Sequence, residues 1–135
     1  MGQIGTFGEI VFEVSSNKIL TFNDFARSGS GRWSTHEINL QKPLPEFHGP
    51  GQEEISFSIR LDIQLGVNPE IELEKLRKMR DIGAIAYLIV GGRPVSQNMW
   101  LLESFREQHK THDGQGRLLA AIVDLSLKEY PTQGG

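Results

Sequence analysis

The chain contains no cysteine among its 135 residues, which excludes disulfide bridges, thiolate metal sites and a cysteine nucleophile. This absence fits synthesis in a reducing cytoplasm. Only 8% of the residues are aromatic and 38% are hydrophobic, which is enough for one modest core and predicts a single domain over residues 1–135. The terminal segments 1–6 and 132–135 are predicted to be mobile.

The chain also lacks a strong charge imbalance and any long apolar run. Its net charge is −3, from 17 acidic and 14 basic residues, which argues against a dedicated nucleic-acid-binding protein. The longest strongly apolar run, residues 84–90, is too short to span a bilayer. The first residues have neither the basic region nor the apolar stretch of a secretion signal. The sequence therefore predicts no membrane association.

The most regular pattern that is present lies in EISFSIRLDIQL, residues 54–65. Every odd position from Ile55 to Leu65 is apolar and every even position is polar, which predicts a strand with one dry face and one wet face. Twelve residues is roughly twice the usual strand length of about 5–6 residues. A long two-faced strand indicates a sheet whose second face meets water, a channel or another subunit.

Several other segments have strand character. They are a hairpin over residues 7–25, a strand over 33–40 and further strands over 84–90, 99–109 and 118–127. Residues 42–52 contain three prolines and two glycines, so we predict a long connecting loop there and not a central strand. The turn signal at residues 113–116 separates the last two strands.

One helix is predicted over residues 68–82. Asn68 can cap it, Pro69 suits its first position and Gly83 can end it. One broad apolar side should pack on a sheet, and this side contains Ile71, Leu73, Leu76, Met79 and Ile82. With six or seven strands and no alternation of strands and helices, the sequence predicts an α+β fold that is mostly β.

The sequence shows no catalytic, cofactor-binding or metal-binding constellation. His109, His112 and Asp113 are the nearest approach to a metal site, but residues three apart on a strand face opposite ways, so a polar strand end is the favoured interpretation. Asp62 is predicted to be an exposed carboxylate, and Arg60 beside it indicates charge pairing across strands or subunits. Trp33 and Trp100 are either interface anchors or core residues.

An ordered set of short segments resembles the GpU family of phage tail proteins, which occurs in contractile-tailed temperate phages and phage-tail-like bacteriocins. The resemblance runs from about residue 7 to residue 131. The segments are FGEIVFEV (7–14), LTF (20–22), RW (32–33), HE (36–37), KPL (42–44), Phe47, GPG (49–51), EISF (54–57), IRL (59–61), LGVNP (65–69), GG (91–92), GRLL (116–119) and LKEY (127–130).

The resemblance implies a non-enzymatic structural protein needed for tail assembly, located in the tail or baseplate of the virion and made in the host cytoplasm. It implies a tail-tube-like fold of two packed antiparallel sheets with a flanking helix, and a ring of six subunits. The implied partners are further copies of the chain, the tail tube protein, the baseplate hub protein and a small LysM-type tail protein. In such a ring, strands from neighbouring subunits pair edge to edge around a lumen.

The leading hypothesis is a ring that joins the tail tube to the baseplate hub, with residues 32–40 and 43–51 as contact elements. A ring that caps the head-proximal end of the tube is the alternative in the same class. An assembly chaperone and a small enzymatic or ligand-binding barrel are the others. The interface candidates are Arg32, Trp33, His36, Phe47, Pro50, Arg60 and Asp62.

Overall fold

The structure is a computed structural model that describes residues 2–131. Within them the chain forms twelve strands, one α-helix and one short 3₁₀ helix. The strands are β1 (Gly2–Phe7), β2 (Ile10–Val14), β3 (Ile19–Leu20), β4 (Phe22–Ser28), β5 (Gly31–His36), β6 (Leu44–Pro50), β7 (Glu54–Asp62), β8 (Ile85–Ala86), β9 (Leu88–Val90), β10 (Arg93–Pro94), β11 (Met99–His112) and β12 (Leu118–Tyr130). The 3₁₀ helix is Ile63–Leu65, and helix α1 is Pro69–Ile82.

The strands form two five-stranded sheets and one separate ribbon, and all pairs are antiparallel. The first sheet has the order β10–β9–β1–β2–β3, and the second sheet has the order β4–β7–β12–β11–β8. The ribbon consists of β5 and β6, and one of the two sheets curls into a half-barrel. The predicted architecture, two packed antiparallel sheets with one flanking helix, is confirmed.

The alternating pattern of β7 provides the dry face of the second sheet. Its apolar residues lie directly opposite buried residues of β12, and the facing pairs are Ile55–Leu127, Phe57–Leu125, Ile59–Val123 and Leu61–Ala121. Truncating one large member of such a pair costs about 2–5 kcal/mol of stability. The strand ends at Asp62 and not at Leu65, because the Asp62 Oδ1 atom accepts a 2.9 Å hydrogen bond from the Gln64 N–H and begins the 3₁₀ helix.

The first sheet and the helix together cover this dry face. The Phe12 ring meets the rings of Phe57 and Phe22 edge-on, at centroid distances of 5.9 and 5.3 Å. Helix α1 adds Leu73 and Leu76 to the same buried cluster. The opposite face of the second sheet is polar, so the sheet separates a packed interior from a wet exterior.

Helix α1 begins and ends where the sequence predicts. The Asn68 Oδ1 atom accepts a 3.1 Å hydrogen bond from the Glu70 N–H, and Gly83 ends the helix at φ 67°. The predicted apolar side is only partly correct, because Ile71 and Ile82 remain 54% and 66% exposed. Glu72 is buried in their place, and its carboxylate accepts a hydrogen bond from the Lys75 ammonium at 3.2 Å.

Several predictions about strands were wrong. Residues 2–6, predicted to be mobile, belong to β1, which pairs with both β2 and β9; the predicted mobile segment 132–135 lies outside the described residues. The predicted strand 84–90 divides at Tyr87, so that β8 joins the second sheet and β9 joins the first. The predicted hairpin 7–25 is interrupted after Leu20, because β4 continues into the second sheet.

The segment 42–52, predicted to be a loop, contains β6. Its prolines are tolerated because β6 pairs only with β5, so a proline need not donate to a strand on both sides. The predicted strand 33–40 ends at His36. Beyond it the chain turns, with a 3.1 Å hydrogen bond from the Gln41 N–H to the Ile38 carbonyl and Leu40 at φ 62°.

Candidate assembly surfaces

The β5–β6 ribbon, which we call the arm (residues 31–50), projects from the body of the protein. Its two strands continue the β4–β7 pair: Ser28 lies opposite Glu54, the Gly51 N–H donates to the Ser30 carbonyl at 2.7 Å, and Gly31 lies opposite Pro50. Every residue of β5 is exposed, and so is every residue of β6 except Gly49. Six residues per strand give the paired part of the arm a length of about 20 Å.

The root of the arm is fixed to the body by polar contacts. The Glu129 N–H donates to the Glu53 carbonyl at 2.9 Å, and the Gln52 side chain donates to the Glu129 carbonyl at 2.7 Å. The Arg27 guanidinium pairs with the Glu53 carboxylate at 2.5 Å and also donates to the Val95 carbonyl at 3.2 Å. The arm therefore leaves the body in a defined direction.

The two faces of the arm differ in chemistry. Trp33 and Phe47 lie opposite each other, with ring centroids 5.0 Å apart, and they are 61% and 56% exposed. Thr35 and Pro45 form the next pair on this face, which carries no charge. Since aromatic side chains dominate binding energies at interfaces, an exposed aromatic pair on a projecting ribbon is suited to docking.

The other face of the arm is polar. Here the His36 Nε2 atom contacts the Glu46 carboxylate, and the Ser34 Oγ atom lies 2.6 Å from the His48 Nε2 atom. Arg32 donates to the His48 carbonyl at 2.8 Å. These contacts hold the ribbon in register without a hydrophobic core beneath it.

The structure brings five of the seven predicted interface residues together on the arm. They are Arg32, Trp33, His36, Phe47 and Pro50. The sequence left Trp33 and Trp100 equivalent, whereas the structure separates them, because Trp100 is fully buried in the core.

Arg60 and Asp62 lie elsewhere, on β7, and their place at an interface stays a prediction, whereas the predicted charge pairing and the predicted exposure of Asp62 need correction. The Arg60 guanidinium donates to the Asp62 Oδ2 atom at 3.0 and 3.1 Å within the same strand. Asp62 is only 9% exposed, because it caps the 3₁₀ helix as well as accepting from Arg60. Its prediction as an exposed carboxylate was therefore wrong.

The long edges of the second sheet form another candidate surface, which the sequence did not reveal. Strand β4 pairs with β7 on one side only, and β8 covers β11 only at Trp100 and Leu101. In the part of the chain that the structure describes, β4 and most of β11 therefore have no strand on their outer sides. A bulge at Asp24, whose φ is 56°, interrupts the edge of β4 and leaves residues 26–28 regular.

The outer face of the second sheet is polar and rich in small residues. Cross-strand partners there include Ser56–Ser126 and Ser58–Asp124. An open groove of about 570 Å³ crosses this face above Ser58, between Asp24 and Asp124. Helix α1 lies on the opposite, apolar side, so this face is free to meet water, as the alternation in residues 54–65 predicts.

A charged network ties α1 to β11. The Arg77 guanidinium donates to both Glu107 oxygens, at 2.8 and 3.0 Å, and to the Glu74 carboxylate at 2.7 Å. The bonds from Arg77, and then the bond from His109, lower the pKa of the Glu107 carboxyl against the opposing effect of its partial burial. The hydrogen bonds that Arg77 donates to Glu107, and then to Glu74, raise the pKa of Arg77. This network orients the helix on the sheet.

The histidines considered as metal ligands belong to this region. Bulges on either side of Thr111 bring the rings of His109 and His112 to a centroid distance of 5.8 Å, although a regular strand would turn them apart. The His109 Nε2 atom lies 2.9 Å from Glu107, and Asp113 accepts hydrogen bonds from Gln115 and Arg117. Among residues 2–131, no group of three or more His, Asp or Glu side chains is arranged to hold a metal ion.

Comparison with known protein families decides the class of this chain. The family model Phage P2 GpU matches residues 8–131. The chain belongs to this family. A search of curated proteins found no match.

Membership of the GpU family makes this chain a structural protein associated with a phage tail and a component of the virion. Among the described residues of the GpU-family chain, no helix is long and apolar enough to cross a membrane. Two of its grooves, of about 580 and 570 Å³, lie open at the surface.

Proposed function

We propose that this GpU-family protein forms a ring of six copies that joins the tail tube to the baseplate hub during tail assembly. Its partners are then further copies of itself, the tail tube protein, the hub protein and a small LysM-type tail protein. It is made in the cytoplasm of the bacterial host and remains at the junction of tail and baseplate. Its role is structural, and no catalytic step is assigned to it.

One observation carries the ring: the second sheet leaves both of its long edges unpaired within residues 2–131. An unpaired edge is a template for another strand, and proteins normally cover, shorten or pair it. When the β4 edge of one copy meets the β11 edge of the next, the contact is head-to-tail, and a head-to-tail contact closes into a ring when its rotation permits. Ring closure removes both free edges of the second sheet.

The polar outer face of the second sheet supports the same arrangement. In a ring built from this sheet, the apolar face stays under the first sheet and α1, while the face with Ser56, Ser58 and Asp124 borders a central bore. A water-filled bore tolerates these side chains, because each keeps its hydration.

The arm supports a junction role. Edge pairing places copies side by side, whereas the arm extends about 20 Å beyond the end of the sheet and can reach a layer above or below. Its rigid root and its uncharged aromatic face suit a contact with the next component of the tail.

Cryo-electron microscopy of intact tails, combined with mass spectrometry of the purified particles, tests the proposal. We expect the chain in the particles, in a single ring between tube and hub, with the second sheet continuous from copy to copy. A ring at the head-proximal end of the tube would contradict the junction role. Absence of the chain from mature particles would indicate an assembly chaperone instead.

A further inference from the structure

Strand direction decides how the free edges of two copies can meet. Strand β4 runs towards the end of the second sheet that is level with Glu54, and β11 runs away from that end. We call it the arm end, because the arm leaves the sheet there. Copies related by rotation about the axis of a bore point the same way, so β4 of one copy is antiparallel to β11 of the next. The contact therefore continues the antiparallel order of the sheet.

Strand β8 limits where β4 of the next copy can pair. Without a shift along the strands, Ser28 would lie opposite Leu101, because both residues are level with Glu54. This place is taken, since β8 already pairs with β11 at Trp100 and Leu101. A shift towards the arm end meets the same obstacle. Strand β4 must therefore move the other way, towards His112.

The two faces of the sheet restrict this shift to whole repeats of two residues. Residues directly opposite one another in a sheet lie on the same face. Ser28 and Ala26 lie on the polar outer face, and the polar outer face of β11 carries Ser104, Arg106 and Gln108. Ser28 can therefore face one of these three residues, after a shift of one, two or three repeats.

Both edges contain a bulge that helps to select the register. In β4, residues 23–26 lie opposite a stretch of β7 that is one residue shorter, and Asp24 is the extra residue. In β11, residues 109–111 lie opposite a stretch of β12 that is one residue shorter, and Lys110 is the extra residue. Each free edge thus has one irregular position, and two edges pair best where these positions coincide.

The two bulges coincide in one of the three registers. When Ser28 faces Arg106, counting along the antiparallel strands places Asp24 opposite Lys110. A shift by one repeat places Asp24 against a regular part of β11. A shift by three repeats, with Ser28 opposite Gln108, leaves the other end of β4 beyond the end of β11. The shift by two repeats therefore gives the longest continuous pairing.

The charges on the two edges agree with this register. Asp24 and Lys110 are both exposed, and neither makes an ion pair within residues 2–131. The same register places Arg27 opposite Glu107, which again have opposite charges. Opposite charges on directly facing residues stabilise an antiparallel strand pair, whereas like charges there destabilise it.

The geometry of closed barrels also agrees with a shift by two repeats. At about 3.3 Å per residue, the shift is about 13 Å for each copy, and the four long strands of a copy span about 19 Å across the sheet. In a closed ring this ratio corresponds to a strand tilt of about 35°, within the usual range of about 35–45°. A shift by one repeat would give a tilt of only about 19°.

We propose that β4 of one copy pairs with residues 106–112 of β11 in the next copy of the same ring, with Ser28 opposite Arg106 and Asp24 opposite Lys110. Strand β8 prevents the unshifted register and so gives the shift its direction. This inference rests on the ring of the proposed function, and it names the residues that make the contact between neighbouring copies.

The absence of native cysteines allows a direct test. In a chain with Ser28→Cys and Arg106→Cys, the two thiols of one copy lie three strands apart, or about 14 Å, which is too far for a disulfide. Mild oxidation of the purified chain, and of tails that contain it, should therefore link neighbouring copies. We expect a ladder of linked chains that ends at six on a non-reducing gel.

Matched controls distinguish the three registers. Chains with Ser28→Cys and either Ser104→Cys or Gln108→Cys should form the ladder at least about tenfold more slowly, because diagonal neighbours are about 7–8 Å apart and a disulfide needs Cβ atoms about 3.5–4.5 Å apart. Fastest linking through Ser104 or Gln108 would overturn the proposed register. So would the lack of linked chains in both preparations.

A charge reversal tests the contact between Asp24 and Lys110. Lys110→Glu, added to the chain with Ser28→Cys and Arg106→Cys, should slow the formation of the ladder at least about threefold, because it faces Asp24 with a like charge. Further addition of Asp24→Asn should restore most of the rate, since asparagine also tolerates the φ of 56° at this position. An unchanged rate with Lys110→Glu would overturn the register.

The same experiments separate this inference from the proposed function. A ladder in the purified chain, together with absence of the chain from tails, would contradict the tail function alone. A ladder that ends at a number other than six would contradict the hexamer alone. Incorporation into tails with fastest linking through Ser104 or Gln108 would contradict the register alone.

Discussion

At the scale of single residues, Glu107 connects the helix to the sheet and makes stability depend on pH. Its folded-state pKa is lowered, chiefly by the two hydrogen bonds from Arg77 and then by the bond from His109. A carboxyl whose pKa is lowered by folding contributes its full stabilisation above its unfolded pKa of about 4.3, and loses it as the pH falls through the lower folded value.

We therefore expect Glu107→Gln to lower the unfolding free energy by about 1–2 kcal/mol at pH 7, since Arg77 is partly exposed and solvent screens the pair. The difference between variant and native chain should shrink below pH 4. Thermal unfolding followed by circular dichroism from pH 7 to pH 2.5 measures this. A difference that stays constant over the whole range would contradict the assignment.

Asp113 should contribute in the same direction and over a similar range. Hydrogen bonds from the Arg117 and Gln115 N–H groups and the Arg117 side chain lower its pKa to about 2, with the backbone bond from Arg117 the largest cause. Both carboxylates become protonated only in acid. The Glu107→Gln variant should therefore still lose stability as the pH falls, because its Asp113 carboxylate is still protonated.

Gly66 shows how one residue can hold two segments together. It has a φ of 80°, and a Cβ atom there would lie 1.8 Å from the Asn17 carbonyl oxygen in the β2–β3 turn. Gly92 has nearly the same φ, 81°, but no atom within 4 Å of its added Cβ. Substitutions at the two glycines therefore distinguish the cost of backbone strain from the cost of steric overlap.

Gly66→Ala should destabilise the fold by about 3 kcal/mol or more, because strain and overlap with a rigid backbone both act. Gly92→Ala should cost only about 1 kcal/mol, since strain alone acts. Urea unfolding of both variants measures the difference. Equal losses would show that the β2–β3 turn moves aside freely.

At the scale of whole elements, local signals predicted the helix well and the arm poorly. Asn68, Pro69 and Gly83 act on their nearest backbone neighbours, so they fixed α1 without tertiary information. The buried side of α1 depends on what packs against it, and for that reason Ile71 and Ile82 were misassigned. The prolines of residues 42–52 excluded a central strand correctly but could not exclude a ribbon strand paired on one side.

The candidate surfaces were predictable to different extents. Trp33 and Phe47 were interface candidates from the sequence, but their exposure was not predicted, since a core position suited Trp33 equally well. Their position opposite each other depends on the register of β5 and β6, which the sequence did not define. The unpaired edges of β4 and β11 depend on the order of strands in the sheet, and no local pattern reports that order.

Excision of the arm should leave the body folded. The Gly51 N–H donates to the Ser30 carbonyl at 2.7 Å, so a short glycine–asparagine turn can join these two residues after residues 31–50 are removed. Because the arm residues are almost all exposed, we expect the melting temperature to change by only a few degrees. A loss of cooperative unfolding would show that the arm is part of the core.

The arm-deleted chain also separates folding from assembly. With the body intact, it should fail to support tail formation when it replaces the native chain in producing cells. The matched control is the full chain carrying Trp33→Phe, which keeps an aromatic residue on the same face and should support assembly. Normal tails from the arm-deleted chain would contradict the role of the arm.

At the scale of the whole molecule, the polar face, the two free edges and the arm point in three different directions. The edges lie in the plane of the second sheet, the polar face lies across it, and the arm extends along its strands. Such a subunit can pair laterally, border a bore and reach an adjacent layer without using one surface twice. Three separate surfaces of this kind fit the proposed ring between the tail tube and the baseplate hub.

The width of the bore in the proposed ring follows from the strand count. Each copy contributes four long strands, β4, β7, β12 and β11. At about 4.8 Å between strands, six copies give a backbone circle about 37 Å across for untilted strands and about 48 Å across for strands tilted by about 40°. Four copies would give at most about 32 Å, and eight would give at least about 49 Å. A diameter outside about 37–48 Å in an image reconstruction would therefore contradict a hexamer closed through these edges, and a diameter inside this range would exclude rings of four or eight copies.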